Sequence, residues 1–181
     1  MKTKIKQFEQ YLWHDVEEDD EKADDFLEEA IPYIGLVVMH FNGLESDLDS
    51  VLCEHFTDRH DRTGMIVLNN LSFSQKIDLM KRFTDEFHTM IATPIPGFEK
   101  LINDLRESAR LRNMVVHANW ESTNEKGYTF FKLKVSKKGM EQYYAQFTAE
   151  SLEKIIDLII KVRSELGNFW ESRNDILYGR V

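Results

Sequence analysis

One cysteine, three prolines and eight glycines among 181 residues are the scarcities of this chain. A single cysteine excludes an internal disulfide and fits a reducing compartment. Cys53 falls in an apolar helical pattern, where it reads as a small buried hydrophobe rather than a nucleophile. Few prolines and glycines mean few enforced turns, which favours long uninterrupted helices. No hydrophobic run is long enough for a membrane span: the longest, "IPYIGLVVMHF" from Ile31 to Phe41, is about half of one. The opening "MKTKIKQFEQYLWHD" is basic but lacks the apolar core of a signal peptide, so a cytoplasmic location is expected. There is no glycine-rich phosphate loop and no Ser-His-Asp pattern. "DRHDR", near His55, matches no known metal-ligand spacing and reads as a solvated loop, so neither metal nor cofactor is expected.

What is present is ordinary for a helix-rich globular protein: 42% hydrophobic, 12% aromatic and 30% charged residues, too apolar for disorder. A chain of this length can bury roughly 70% of its unfolded surface around one core. The net charge of −9 argues against a broad electrostatic grip on nucleic acid. The uneven distribution of that charge weakens the objection. Asp15 to Glu29 holds ten acids and one lysine, leaving 22 acidic against 22 basic residues elsewhere. Local basic patches therefore stand out, at "KLKVSKK" (Lys132 to Lys138) and around Lys76, Lys81 and Arg82. The acidic run reads as a solvated helix start, where carboxylates favour the positive end of the dipole. A decoy for RNA or an arm for a partner are the alternatives.

No internal repeat or flexible linker divides the chain, so residues 1–181 are read as one domain. A first helix is expected over residues 3 to 14, with the acidic arm closing the segment 1–30. A second helix starts in the acidic run, is either begun or kinked at Pro32, and reaches about Phe56. Its stripe includes Val37, Phe41, Leu44, Leu48 and Leu52 at helical spacing. "TDRHDRTG" breaks the pattern. The next helix runs from Ser72, where Ser72 with Gln75 resembles a capping box, to about His88. "TPIPG" stops it, and a further helix covers about Phe98 to Asn119. A β-hairpin occupies the segment 121–147, from "YTFFKLKVS" and "MEQYYAQF". Thr148 caps the final helix, striped by Leu152, Ile155, Ile159, Val162 and Leu166. The expected fold is mainly α: an antiparallel bundle of four or five helices, with a small hairpin before the last one.

Among these elements "ARLRNMVVHANW" carries polar chemistry at a helix end. Asn113 and His117 are four apart and share a face, with Arg112 about 100° to the side. Histidine moves protons near neutral pH, arginine holds phosphate through two parallel hydrogen bonds, and asparagine orients either. The three suit metal-free chemistry on a phosphodiester. A salt-bridged Arg112 beside an interface His117 is the plainer alternative. Trp120 reads as a core or interface anchor, with base stacking as the alternative.

"RNMVVH" resembles the Arg-polar-x-x-x-His motif of HEPN-domain proteins, helical bundles that frequently act as metal-independent ribonucleases. The position late in a long helix, with another long helix to follow, is similar to theirs. "FNGLE" (Phe41 to Glu45) also looks like their long-helix segment, and the likeness covers roughly residues 31 to 170. The family allows four to six residues between the arginine and the histidine, so Arg110–His117 and Arg82–His88 also fit; Arg112 is preferred because Asn113 follows it, whereas Phe83 follows Arg82. The resemblance implies a homodimer whose two motif copies line one cleft and cleave RNA to a 2′,3′-cyclic phosphate. His117 would be the general base or acid, Arg112 would stabilise charge on phosphorus, Asn113 would position the phosphate or the histidine, and Glu45 would hold Arg112. The implied setting is toxin–antitoxin or phage defence, with a cognate antitoxin as partner. A non-enzymatic helical dimer, binding a partner protein or a nucleotide, is the rival reading.

Overall fold

The structure is a computed structural model that describes residues 1–8, 20–56, 61–137 and 139–180. It is mainly helical with one small sheet. The order is β1 (Thr3–Phe8), α1 (Asp20–Cys53), α2 (Arg62–Leu68), α3 (Phe73–Ile91), α4 (Phe98–Val116), a 3₁₀ turn (Trp120–Ser122), β2 (Tyr128–Ser136), β3 (Gly139–Gln146) and α5 (Ala149–Leu177). No helix among the described residues is long and apolar enough to cross a membrane. The chain forms two compact units, residues 1–38 with 111–156 and residues 39–110 with 157–181.

The first unit overturns one expectation. Residues 3–8, expected as the start of a helix, form strand β1; the rest of the expected helix lies outside the described residues. The hairpin is accordingly part of a three-stranded antiparallel sheet with order β1-β3-β2. Within "TKIKQF" the β-branched Thr3 and Ile5 alternate with Lys4 and Lys6, and such alternation is what a strand needs to present two faces. β1 pairs with β3 from Thr3↔Ala145 to Phe8↔Met140. β2 pairs with the other edge of β3, and the register slips by one residue between Phe130 and Lys132, so Phe131 is a bulge. Gly127, which enters β2, has φ +76; a side chain there would meet the Phe26 ring and the Phe147 carbonyl. Val37, Val115, Ala145, Phe147 and Leu152 are buried within this unit.

In the second unit α1, α3, α4 and α5 each contribute an apolar stripe. Leu44, Leu48, Leu52, Ile102, Leu105 and Ile159 are completely buried. Neighbouring helices are also tied by polar pairs: Lys76 to Glu45 and Asp49 (α3 to α1), Arg106 to Asp78 (α4 to α3), Lys100 to Glu165 (α4 to α5) and Arg163 to Asp47 (α5 to α1). The order of these contacts gives the helix directions. Phe41 meets Phe73, Glu45 meets Lys76, and Phe56, just past the end of α1, meets Phe83, so α1 and α3 run in the same sense. Asp47 with Arg163 and Glu54 with Trp170 give α5 that sense too. Of these four helices α4 alone opposes the rest: Phe98 and Lys100 lie against Phe169 and Glu165. The expected all-antiparallel bundle is corrected on this point.

The physical reason is α2, an unexpected helix that begins within "TDRHDRTG" and ends before Ser72. Gly64 lies so close to Cys53 that a Cβ would stand 2.8 Å from its Sγ. The chain then returns to Phe73, beside Phe41, and starts α3 in the direction of α1. The Ser72–Gln75 capping box is present, with Gln75 N–H donating to Ser72 Oγ at 3.4 Å and Ser72 N–H to Gln75 Oε1 at 2.8 Å. Thr148 caps α5 by accepting from Ser151 N–H at 3.2 Å. Pro32 lies inside α1 rather than at its start, on an exposed position where the carbonyl it leaves unpaired can be hydrated. α1 ends at Cys53 and α4 at Val116, each three residues earlier than expected.

Candidate functional site

The helix α4 ends for a local reason. Trp120 turns back so that its indole Nε1–H donates to the Val115 carbonyl at 2.8 Å. That carbonyl belongs to the last turn, where no intrahelical donor remains. The Trp120 ring packs on Phe147, with ring centres 5.1 Å apart. Trp120, read from sequence as an anchor with base stacking as the alternative, is half-buried and holds the helix terminus with its N–H committed to Val115. Asn119 N–H donates to the Phe130 carbonyl at 2.7 Å and joins the end of α4 to β2.

On this anchored turn sit Arg112, Asn113 and His117, all in the first unit. Arg112 is partly buried and its Nη1 donates to Asn113 Oδ1 at 3.1 Å. Asn113 and His117 are exposed. The His117 N–H donates to the Asn113 carbonyl at 3.0 Å, which continues the helical pattern one residue past α4. Its imidazole makes no hydrogen bond to any described residue. The turn therefore presents an exposed titratable ring, an amide one turn below it, and a guanidinium that the amide orients. This arrangement can exchange a proton at His117 and attract an anion to Arg112.

Glu45, expected to hold Arg112, is carried by α1. It lies in the second unit, where its Oε1 accepts from Lys76 Nζ at 2.8 Å; the same ammonium reaches Asp49 at 2.9 Å. Lys76 is 5% exposed, and its desolvation is outweighed by the hydrogen bonds it donates to Asp49 and Glu45, which raise its pKa above the ordinary lysine value. A carboxylate engaged by a buried ammonium is a structural cross-link between α1 and α3. From sequence, Lys76 was expected in a surface basic patch. A lysine at the fourth position after a Ser N-cap, on the face that carries Ile77 and Met80, was the available signal that it pointed inward.

His55 also proved to be built in. It stacks on Phe83 with ring centres 4.5 Å apart and meets Trp170 edge-on. Burial, together with the nearby Arg173 charge, lowers its pKa to about 4. It is a neutral structural ring packed between aromatic side chains, where the sequence pointed to a solvated loop, and no cluster of three or more His, Cys, Asp or Glu is found among the described residues. Cys53 is buried, and its thiol pKa is raised by that burial, as suits a packed hydrophobe. The chain matches no protein-family model, and no curated protein or solved structure is significantly similar to it.

Proposed function

We propose that the protein is an endoribonuclease that acts without a metal, through Arg112, Asn113 and His117, and works as a homodimer. The observation that carries this reading is the exposed His117 ring, one turn beyond the Asn113 amide that orients Arg112. In the reaction His117 takes the proton of a ribose 2′-hydroxyl. The 2′-oxygen then attacks phosphorus and the 5′-oxygen of the next nucleotide leaves, giving a 2′,3′-cyclic phosphate and a free 5′-hydroxyl. Arg112 stabilises the charge that builds on the phosphoryl oxygens, and Asn113 keeps the guanidinium in place. The departing oxygen needs a proton while His117 is already acting as base. A second copy of His117 supplies it, which is why the reading requires a dimer. Glu45, engaged by Lys76, has no part in the scheme. Cellular defence, including a toxin–antitoxin pair, is the setting in which such an activity fits.

A second reading has its own support. Met65, Ile66 and Val67 on α2 are 41%, 65% and 41% exposed, apolar residues spread around a short helix that suit an interaction module without chemistry.

The test is RNA cleavage in excess EDTA by the protein, His117→Ala and Arg112→Ala, with folding and oligomeric state checked for each. Cleavage by the parent, lost by a factor on the order of 100 or more in both variants, is the expected result. Three equally inert proteins over a broad RNA panel, or three equally active ones, overturn the site. A strictly monomeric parent overturns the dimer.

A further inference from the structure

We propose that one face of the three-stranded sheet is a platform for single-stranded RNA. Strand register puts Lys4, Tyr144 and Phe130 in one row across β1, β3 and β2, with Lys6, Gln142 and Leu133 in the next row of the same face. Tyr128 lies on that face too, opposite Gln146. Lys4 Nζ stands 3.8 Å from the centre of the Tyr128 ring, and Lys6 Nζ 5.4 Å from that of Tyr144. Phe130 and Tyr144 meet edge to face at 5.8 Å. Lys4 and Lys6 are exposed, and the three rings are half-exposed.

Charge selects the occupant. No carboxylate occupies any register position of this face; the one acidic residue of the sheet, Glu141, is on the other face, opposite Lys134. In a chain of net charge −9, the three strands carry four lysines and one glutamate. The two lysines of this face, Lys4 and Lys6, lie against ring faces, which places their ammonium groups before any ligand arrives. A strand of nucleic acid offers what this surface lacks, phosphates for the lysines and bases for the rings. A duplex would pair only its phosphates, because its bases are already stacked inside. With strands about 4.8 Å apart, the face accommodates roughly two to four nucleotides.

The same sheet is tied to the candidate site. Asn119, two residues past His117, hydrogen-bonds the Phe130 carbonyl, so the strand that carries Phe130 leaves from the end of the helix that carries the histidine. The choice of RNA rests on the ribonuclease reading above; the binding face itself rests on the sheet alone.

The experiment is fluorescence anisotropy with a fluorescein-labelled, mixed-sequence single-stranded RNA of about 12 nucleotides, titrated in His117→Ala protein at several salt concentrations. His117→Ala is expected to bind. Lys4→Ala/Lys6→Ala in that background should weaken binding about tenfold or more. It should also flatten the log–log salt dependence by roughly 1.4, about 0.7 for each lost phosphate contact. Tyr144→Leu should weaken binding about fivefold or more and leave the salt slope unchanged. The duplex of the same sequence should bind more weakly than the single strand. Lysine variants that melt like their parent yet bind RNA equally well overturn the platform, as does a folded protein that binds no RNA. Cleavage that persists undiminished in Lys4→Ala/Lys6→Ala would sink the platform and leave the ribonuclease standing. Sheet-dependent binding without any cleavage would do the reverse.

Discussion

Lys76 and Asp49 approach to 2.9 Å with the lysine almost wholly withdrawn from solvent, and Glu45 adds a second carboxylate at 2.8 Å. An ammonium taken this far from water persists only while its carboxylates accompany it, and the carboxylates are left exposed to mutual repulsion if it is removed.

Lys76→Met is accordingly expected to destabilise the protein by about 2–3 kcal/mol, somewhat below the value for a fully buried pair because the carboxylates are partly hydrated. Urea unfolding measures it as a lower midpoint. Lys76→Met combined with Glu45→Gln and Asp49→Asn should recover most of the loss. No recovery would mean that the ammonium stem, not its charge, supplies the stability.

The His55 ring predicts a pH effect with a definite sign. Its folded pKa, about 4, lies below the ordinary 6.5, so the unfolded chain binds the extra proton first as pH falls. Stability contributed by the neutral ring is fully present above pH 6.5 and is lost as pH drops towards 4. With partial hydration of the ring the loss should be about 1–2 kcal/mol. Unfolding midpoints at pH 7 and pH 4.5 check it, and His55→Gln should flatten that pH dependence. An NMR titration placing the His55 pKa near 6.5 would refute it.

Trp120 separates packing from hydrogen bonding. Trp120→Phe keeps a ring on Phe147 but removes the donor to the Val115 carbonyl, and should cost about 1 kcal/mol. Trp120→Ala should cost about 3 kcal/mol. If RNA affinity falls sharply in Trp120→Phe while thermal stability stays unchanged, the residue contacts RNA directly and the structural role given to it is wrong.

Gly127 is the position where a single methyl group should do most damage. Its φ of +76 strains any side chain, and a Cβ would come within 2.6 Å of Phe26 and 2.7 Å of the Phe147 carbonyl. Gly127→Ala is expected to lose about 2–4 kcal/mol and roughly 6–12 °C in melting temperature. An unchanged melting curve would show that the turn can rearrange.

The long helices were legible because their stripes repeat: Leu44, Leu48 and Leu52 on α1 and Ile155, Ile159, Val162 and Leu166 on α5 are all buried. Caps were legible too, since Ser72 with Gln75 and Thr148 act within three residues of themselves. β1 was missed because its alternation is short and it pairs with residues some 140 positions away, information no local window contains. α2 was missed for a similar reason. "RTGMIVL" is seven residues with a glycine among them, and that glycine is tolerated for its close approach to Cys53. Of the site, the helix-end position of Arg112, Asn113 and His117 followed from spacing. The partners that Glu45 and Trp120 take did not, because each is supplied by another element: Lys76 for one, Val115 and Phe147 for the other.

The pairing of β1 with β3 has a consequence for how the chain comes into being. A ribosome adds roughly 5–20 residues per second, so on the order of ten seconds separate the emergence of β1 from that of its only described strand neighbour. Through that interval "TKIKQF" is a strand without a partner, and its alternating lysines are what discourage it from pairing with another nascent chain. The residues proposed to meet RNA in the finished molecule would then first serve as guards against aggregation during synthesis.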